Sequence, residues 1–194
     1  MTKGTLSPEL LVYAYSKGVF PMAEHRKDAC VVWIEPKNRG IIPLDGFHVS
    51  HSLRRVIRKG IFDVRVDTAF RDVMLNCADR DETWINDQIL DAYCKLFDLG
   101  LAHSVECRKD GKLVGGLYGV SLGGAFFGES MFSKETNASK VALCALVERL
   151  KAGGFTLLDT QFLTSHLATF GAIEIPQEEY LKRLEPALEV KARF

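Results

Sequence analysis

The stretch from Leu113 to Gln161 constrains the fold of this chain more than any other. It contains two apolar strands that meet at Ser121–Gly124, then a helix, then another apolar strand. Glu129 and Asp159 lie inside apolar runs, where a carboxylate is costly unless it is paired or used. Alternate residues of a strand share a face, so Asp159 and Gln161 are predicted to point the same way. A buried carboxylate whose hydrogen bonds are all made would explain one such residue. Two of them, together with an amide on the same strand face, favour a functional site.

Length and composition indicate one domain, or one domain with a small appendage. The chain has 194 residues, of which 47% are hydrophobic, and this is enough for a proper core. No apolar run approaches the ~18–20 residues of a membrane-spanning helix, and no signal peptide is recognisable. The five cysteines are scattered and form no CxxC pair, which predicts reduced thiols, a cytoplasmic protein and neither disulfides nor a zinc knuckle.

One segment is strongly cationic although the formal net charge is zero. Residues 50–60 are predicted to form a helix that Ser50 caps and Gly60 ends. Its apolar residues occupy one side, and four cations fill the opposite side: Arg54, Arg55, Arg58 and Lys59. A solvated helix face is the simple interpretation, and contact with phosphates or RNA is the alternative.

The order of predicted elements suggests a fold class. From residue 61 the chain reads as a strand, two helices, a three-stranded meander with an Asp110-Gly111 hairpin turn, a helix, a strand and a helix. This order is similar to that of a GNAT-type acyltransferase domain. We therefore expect an α+β fold, with a mixed β-sheet flanked by helices over residues 61–194. A small N-terminal α+β domain, residues 1–60, is expected to carry the cationic helix.

The residues favour direct acyl transfer over other chemistries. Coenzyme A binding is disfavoured because the turn over residues 133–140 lacks the glycines that cradle a pyrophosphate. A nucleophile elbow, a P-loop, a dinucleotide fingerprint and a set of metal ligands are also missing from the sequence. An α-amine, with a pKa of about 7.7–8.0, can attack an activated ester if both are positioned. Asp159 could draw off the proton while Gln161 aligns the amine, and Glu129 could hold a cationic acceptor.

Several blocks, in order along the chain, resemble the bacterial leucyl/phenylalanyl-tRNA–protein transferases. They are GVFP at residues 18–21, TWI at 83–85, HSVE at 103–106, LVGGLYGV at 113–120, FGESMFS at 127–133, NASK at 137–140, LLDTQF at 157–162 and GAIEIP at 171–176. The resemblance implies transfer of Leu, Phe or Met from aminoacyl-tRNA to proteins with N-terminal Arg or Lys, which marks them for degradation. It implies no metal or organic cofactor and no membrane, and we expect a monomer.

The same resemblance implies roles for individual residues. Asp159 and Gln161 match the catalytic pair, and Glu129 matches the glutamate near the acceptor amine. Four residues are expected near the 3′ end of the tRNA: Tyr15, Met22, Trp84 and Tyr93. Five are expected to form the aminoacyl pocket: Leu117, Met131, Leu143, Leu146 and Leu150. The cationic helix matches the family's contact with the tRNA stem.

Two features leave room for other interpretations. Met22 stands where the family most often has Trp, and a Met stacks less well on adenine. Core packing also explains some of the five pocket residues.

The alternative functions are a GNAT-type acetyltransferase that uses acetyl-CoA and a non-catalytic RNA-binding module. A pocket for side chains unbranched at Cβ predicts that Leu and Phe are preferred over Val and Ile, with Met accepted.

Overall fold

A computed structural model of the chain describes residues 6–26, 28 and 30–194. Within these residues the helices are α1 (Pro8–Ser16), α2 (His51–Arg58), α3 (Phe70–Ala78), α4 (Asp87–Asp98), α5 (Ala138–Ala152), α6 (Ser165–Ala168) and α7 (Gln177–Leu188). The strands are β1 (Phe20–Met22), β2 (Val32–Ile34), β3 (Asn38–Ile41), β4 (Asp63–Val66), β5 (Ala102–Lys109), β6 (Lys112–Leu122), β7 (Ala125–Ser133), β8 (Leu157–Gln161) and β9 (Ile173–Pro176). A 3-10 turn covers Leu44–Gly46. No helix of the described ranges is long and apolar enough to span a bilayer.

A seven-stranded mixed sheet organises the molecule, in the order β4-β5-β6-β7-β8-β3-β9. Only the β7–β8 pairing among these is parallel, and β1 and β2 form a separate antiparallel pair. The expected α+β class, with a mixed sheet flanked by helices, is confirmed. The domain boundary at residue 60 stays a prediction. However, β3 lies before that boundary and takes part in the larger sheet, between β8 and β9.

Local sequence signals set the ends of several elements. The Ser50 hydroxyl accepts from the backbone N–H of Leu53, so the predicted cap of α2 is confirmed, and the Ser7 hydroxyl caps α1 in the same way through Leu10. Asp110 and Gly111 both have positive φ, as the hairpin signal requires. Asn137, which precedes α5, has a φ of 71° and no side-chain capping bond. The Ser133 hydroxyl instead accepts from the N–H of Ser139 near the start of α5.

Two hydrophobic clusters lie on the two faces of the sheet. Along β6, Tyr118 and Val120 belong to one cluster and Leu117 to the other, as strand alternation requires. The first cluster packs against α1, α3, α4 and α7, and the second packs against α2, α5 and α6. The centre of the sheet is therefore covered on both sides.

A cleft opens between β7 and β8. Their parallel pairing extends only from Ala125–Leu157 to Phe127–Asp159. On its other edge, β7 pairs Ser130 with Tyr118 and Gly128 with Gly119, so Glu129 is an extra residue in a β-bulge. Bulges redirect side chains and are frequent beside functional sites. The bulge thus lies where the two strands part.

Candidate active site

A cavity of about 280 Å³ occupies the cleft between β7 and β8. Its walls combine a large apolar surface with a few polar groups, which is typical of small-ligand sites. The β7 side contributes Glu129 and Met131, and the β8 side contributes Thr160 and Gln161. Met22 and Trp84 from the N-terminal part and the α3–α4 loop also reach this cavity.

Glu129 is the carboxylate that faces the cavity. Its Oε1 atom accepts from the Tyr15 hydroxyl at 2.6 Å and from Gln161 Nε2 at 3.1 Å. Its Oε2 atom accepts from the Tyr93 hydroxyl at 3.3 Å. The two tyrosine hydroxyls also hydrogen-bond each other. Tyr15 and Tyr93 are fully buried, so they support Glu129 from the protein interior.

Asp159 is held in a second, deeper network. Arg39 donates from Nε to both carboxylate oxygens at 3.0 and 3.1 Å, and from Nη2 to Oδ2 at 2.6 Å. The Tyr180 hydroxyl donates to Oδ2 at 2.6 Å. The backbone N–H of Gln161 donates to Oδ1 at 2.8 Å. Asp159 is 0% exposed and Arg39 is 1% exposed, so this is a buried, fully bonded ion pair.

Gln161 joins the two networks. Its backbone has a φ of 55°, an uncommon conformation for a residue other than glycine, and the Asp159 carboxylate bonds its N–H there. Its side-chain amide donates to Glu129. The prediction that Asp159 and Gln161 share a strand face assumed regular alternation, which does not hold at a left-handed residue. Asp159 and Gln161 contact each other through the Gln161 N–H. Of their two side chains, only the Gln161 amide reaches Glu129.

Burial sets the electrostatics of this site. It raises the pKa of Glu129 to about 8, despite the hydrogen bond from Tyr15, which acts in the opposite direction. Burial also raises the pKa of both Tyr15 and Tyr93 well above that of a free phenol. Burial lowers the pKa of Arg39, but the adjacent Asp159 raises it, and the net change is upward. Glu129 can therefore exchange a proton near neutral pH, while Arg39 stays charged and the two tyrosines stay protonated.

The structure brings most of the predicted site residues together. Eight of them line the cavity: Met22, Trp84, Leu117, Glu129, Met131, Leu143, Leu146 and Gln161. Leu150, predicted to join this pocket, is fully buried in the core beneath α5. The four cations of the predicted helix, three on α2 and Lys59 at its C-terminal cap, are all exposed on the surface. Whether each residue has its predicted role stays a prediction.

Sequence reasoning missed five residues at this site. Arg39 and Tyr180 hold Asp159 from segments that are distant in sequence. Arg80 donates to the Ser130 hydroxyl and the Met131 carbonyl at the rim of the cavity. The buried Tyr118 hydroxyl, in the cavity wall, has no hydrogen-bond partner among the described residues, and the same holds for Thr160. For Arg39, the sequence offers only one signal, a lone arginine in the NRGII segment.

Comparisons with known proteins agree on one family. The family model described as leucyl/phenylalanyl-tRNA protein transferase matches residues 41–185, and the model of its N-terminal domain matches residues 4–37. A relative from Herpetosiphon aurantiacus named leucyl/phenylalanyl-tRNA–protein transferase is 59% identical over 195 residues, covering 100% of both chains. One of the same name from Cereibacter sphaeroides is 58% identical over 194 residues, covering 100% of this chain and 91% of the relative.

Solved structures give more distant matches. L-PGS from Bacillus licheniformis is 16% identical, with a TM-score of 0.45, covering 82% of this chain and 55% of that chain. An aminoglycoside N-acetyltransferase in complex with CoA is 13% identical, with a TM-score of 0.37, covering 69% of this chain and 91% of that chain.

Proposed function

Because this chain belongs to the leucyl/phenylalanyl-tRNA–protein transferase family and is an aminoacyltransferase, we propose that it moves Leu, Phe or Met from aminoacyl-tRNA to proteins with N-terminal Arg or Lys. The acceptor is the α-amine, and the product is a protein tagged for degradation. The observation that carries this proposal is the cavity between β7 and β8, where an apolar wall meets the Glu129–Gln161 pair.

The apolar wall suits the transferred side chain. Leu117, Met131, Leu143 and Leu146 present flexible or branched aliphatic groups to the cavity, without a charge. Such a surface accepts Leu, Phe and Met through burial of apolar area. Discrimination against similar side chains stays modest, because one methylene changes binding by only about 1–3 kcal/mol.

The polar side of the cavity suits the acceptor. A protein beginning with Arg or Lys brings an α-ammonium and a cationic side chain, and Glu129 is the carboxylate that lines the cavity wall. When such a cation enters, it favours the ionised form of Glu129, and the two charges attract more strongly in this partly dehydrated site than in water. The Gln161 amide, next to Glu129, can orient the amine toward the ester.

The opposite end of the substrate is a tRNA. Trp84 and Met22 line the same cavity and can contact the terminal adenosine, the indole by stacking and the thioether by apolar contact. The α2 face, with Arg54, Arg55, Arg58 and Lys59, can contact the phosphate backbone. Arg80 adds a cation at the rim of the cavity.

The reaction is direct attack of the amine on the aminoacyl ester. A new C–N bond forms at the ester carbonyl, the bond from that carbon to the tRNA 3′ oxygen breaks, and this oxygen leaves with a proton. The ester is already activated, so the protein supplies positioning and electrostatic stabilisation without a covalent intermediate. Gln161 assists the attack through its side-chain amide, and Asp159 assists only indirectly, by holding the Gln161 N–H.

Transfer of labelled leucine from leucyl-tRNA to peptides tests this function. We expect label on a peptide beginning with Arg and none on the same peptide beginning with Glu, because a cationic acceptor stabilises the ionised form of Glu129 and an acidic acceptor does not. An Arg-first peptide with an acetylated α-amine is the matched control and should also stay unlabelled, since it has no nucleophile. Label on the Glu-first peptide would reverse the acceptor assignment. Intact ester with every peptide would refute the transferase.

Neutralising the α2 face should weaken tRNA binding. The Arg54→Gln, Arg58→Gln double variant loses two phosphate contacts, so the slope of log affinity against log salt should become shallower by about 1.4–1.8. Filter binding of aminoacyl-tRNA between low and moderate salt measures this slope. Exposed cations elsewhere provide the control, Lys95→Gln with Lys112→Gln, which should leave the slope unchanged. Equal changes in both variants would contradict a specific role for α2.

A further inference from the structure

The hydrogen bonds around Asp159 leave its carboxylate little capacity to accept a proton from a substrate. Its two oxygens receive Arg39 Nε and Nη2, the Tyr180 hydroxyl and the Gln161 N–H. It is completely buried behind Gln161. An incoming amine would have to displace charge-assisted bonds, which are the strongest type in proteins.

Arg39 is itself fixed, so the ion pair cannot easily swing toward the cavity. Its guanidinium lies 4.7 Å from the ring centroids of both Phe20 and Tyr180. Its Nη1 atom donates to the Gly18 carbonyl at 2.9 Å. A cation held by two aromatic faces and a backbone carbonyl keeps Asp159 in one orientation.

Glu129 has the opposite character. It projects from a β-bulge into the cavity wall, and its hydrogen bonds come from the neutral groups of Tyr15, Tyr93 and Gln161. Its Oε2 atom receives only the longer bond from Tyr93, at 3.3 Å, among the described residues. That oxygen can therefore accept a bond from a substrate amine without breaking an ion pair.

We propose that Arg39 and Asp159 are positioning residues that hold Gln161, and that Glu129 accepts the proton of the acceptor amine. The assignment rests on the proposed transferase function. It makes Glu129 the proton acceptor and gives Asp159 a positioning role. Asp159 fixes the left-handed backbone of Gln161 through its N–H. The Gln161 amide then bonds Glu129 and orients it beside the amine.

The proton balance is simple. The α-ammonium gives one proton to the Glu129 carboxylate and becomes a neutral amine, whose lone pair forms the C–N bond. After the attack, the nitrogen of the tetrahedral intermediate carries two protons and a positive charge. One of these protons passes to the departing 3′ oxygen as the C–O bond breaks. Glu129 later releases the first proton to solvent, so each turnover yields an amide, a free 3′ hydroxyl and one proton.

The groups that face Glu129 are compatible with this role. From α1, α4 and β6 they are the phenols of Tyr15, Tyr93 and Tyr118, which burial keeps protonated. From β3 and β8 they are Arg39 and Asp159, whose opposite charges largely offset each other. With its pKa raised to about 8, Glu129 is close to the ordinary 7.7–8.0 of an α-amine, so proton transfer between them is nearly balanced.

Two neutralised variants separate the roles in single-turnover transfer to an Arg-first peptide between pH 6 and 9. Arg39→Gln with Asp159→Asn removes the buried charges together, and Asn can still accept the Gln161 N–H. We expect this variant to keep the rate within about tenfold and to keep the wild-type pH profile. Glu129→Gln should lose at least about 100-fold at pH 7, the scale of general-base catalysis. Its residual rate should follow ionisation of the acceptor amine alone.

A second acceptor tests the proposal even if the Arg39→Gln, Asp159→Asn variant does not fold. In an Arg-first peptide with an α-hydrazino group, the nucleophilic group is mostly uncharged at pH 7 and needs no prior loss of a proton, while the guanidinium keeps its charge. With this acceptor the deficit of Glu129→Gln relative to wild type should shrink below about tenfold. Failure of this rescue overturns the proposal, even if the neutralised pair does not fold. A folded Arg39→Gln, Asp159→Asn variant whose transfer rate falls 100-fold or more also overturns the proposal. Inactive wild-type protein would instead refute the transferase itself.

Discussion

Replacing Arg39 with Met should lower the free energy of unfolding by about 3–5 kcal/mol. The change leaves Asp159 as an unpaired anion at 0% exposure, where water cannot solvate it. It also removes the donor to the Gly18 carbonyl. Urea denaturation followed by circular dichroism measures the loss. Removing both charges, Arg39→Met with Asp159→Leu, should cost clearly less, because an apolar pair avoids the uncompensated charge.

An exposed ion pair provides the matched control. Arg183 pairs with Glu179 at 2.7 Å, and the two side chains are 44% and 49% exposed. Arg183→Met should therefore change stability by less than about 1 kcal/mol, as is usual for surface pairs. If Arg39→Met were equally mild, water would have to reach Asp159, and the closed ion pair described above would be wrong.

Replacing Gly119 with Ala should abolish most transfer and destabilise the fold by about 1–3 kcal/mol. A Cβ atom at this position would lie less than 3.0 Å from the Phe127 carbonyl oxygen and from the Phe126 ring. Gly119 pairs with Gly128 beside the bulge that carries Glu129, so the added methyl group pushes β6 and β7 apart there. The Glu129 carboxylate would then lose its alignment with Tyr15 and Gln161.

Thermal melting and the leucine transfer assay measure the two effects together. Gly46→Ala is the control, because a Cβ there meets only Pro43 Cβ at the ordinary distance of 3.5 Å. It should melt and transfer like the wild type. Normal transfer by Gly119→Ala would mean that the bulge tolerates displacement, and that the position of Glu129 matters less than its hydrogen bonds suggest.

Local signals in the sequence were sufficient to predict the elements but not how they assemble. Ser7, Ser50 and the Asp110-Gly111 turn act through neighbouring backbone groups, so short windows reveal them. The insertion of β3 between β8 and β9 depends on pairing across more than a hundred residues. No local pattern contains that information, so the sequence does not predict which sheet this strand joins.

The candidate site was predictable in part for the same reason. Glu129 and Asp159 are recognisable because a carboxylate in an apolar strand demands an explanation. Arg39, the partner of Asp159, is 120 residues away and lies in an unremarkable extended segment. The φ of Gln161 also could not be read from the sequence, since it depends on the carboxylate that holds it. Leu150 shows the converse, because a core leucine and a pocket leucine look alike in sequence.

The contact between Arg39 and Asp159 also sets the order of events during synthesis. At about 5–20 residues per second, the 120 residues that separate them take a ribosome roughly 6–24 s to add. Until then β3 has neither of its neighbours in the sheet, and its arginine has no carboxylate to meet. Tyr180 arrives later still. A nascent chain therefore acquires its complete site only after Tyr180 has emerged, and products truncated before this residue stay without one.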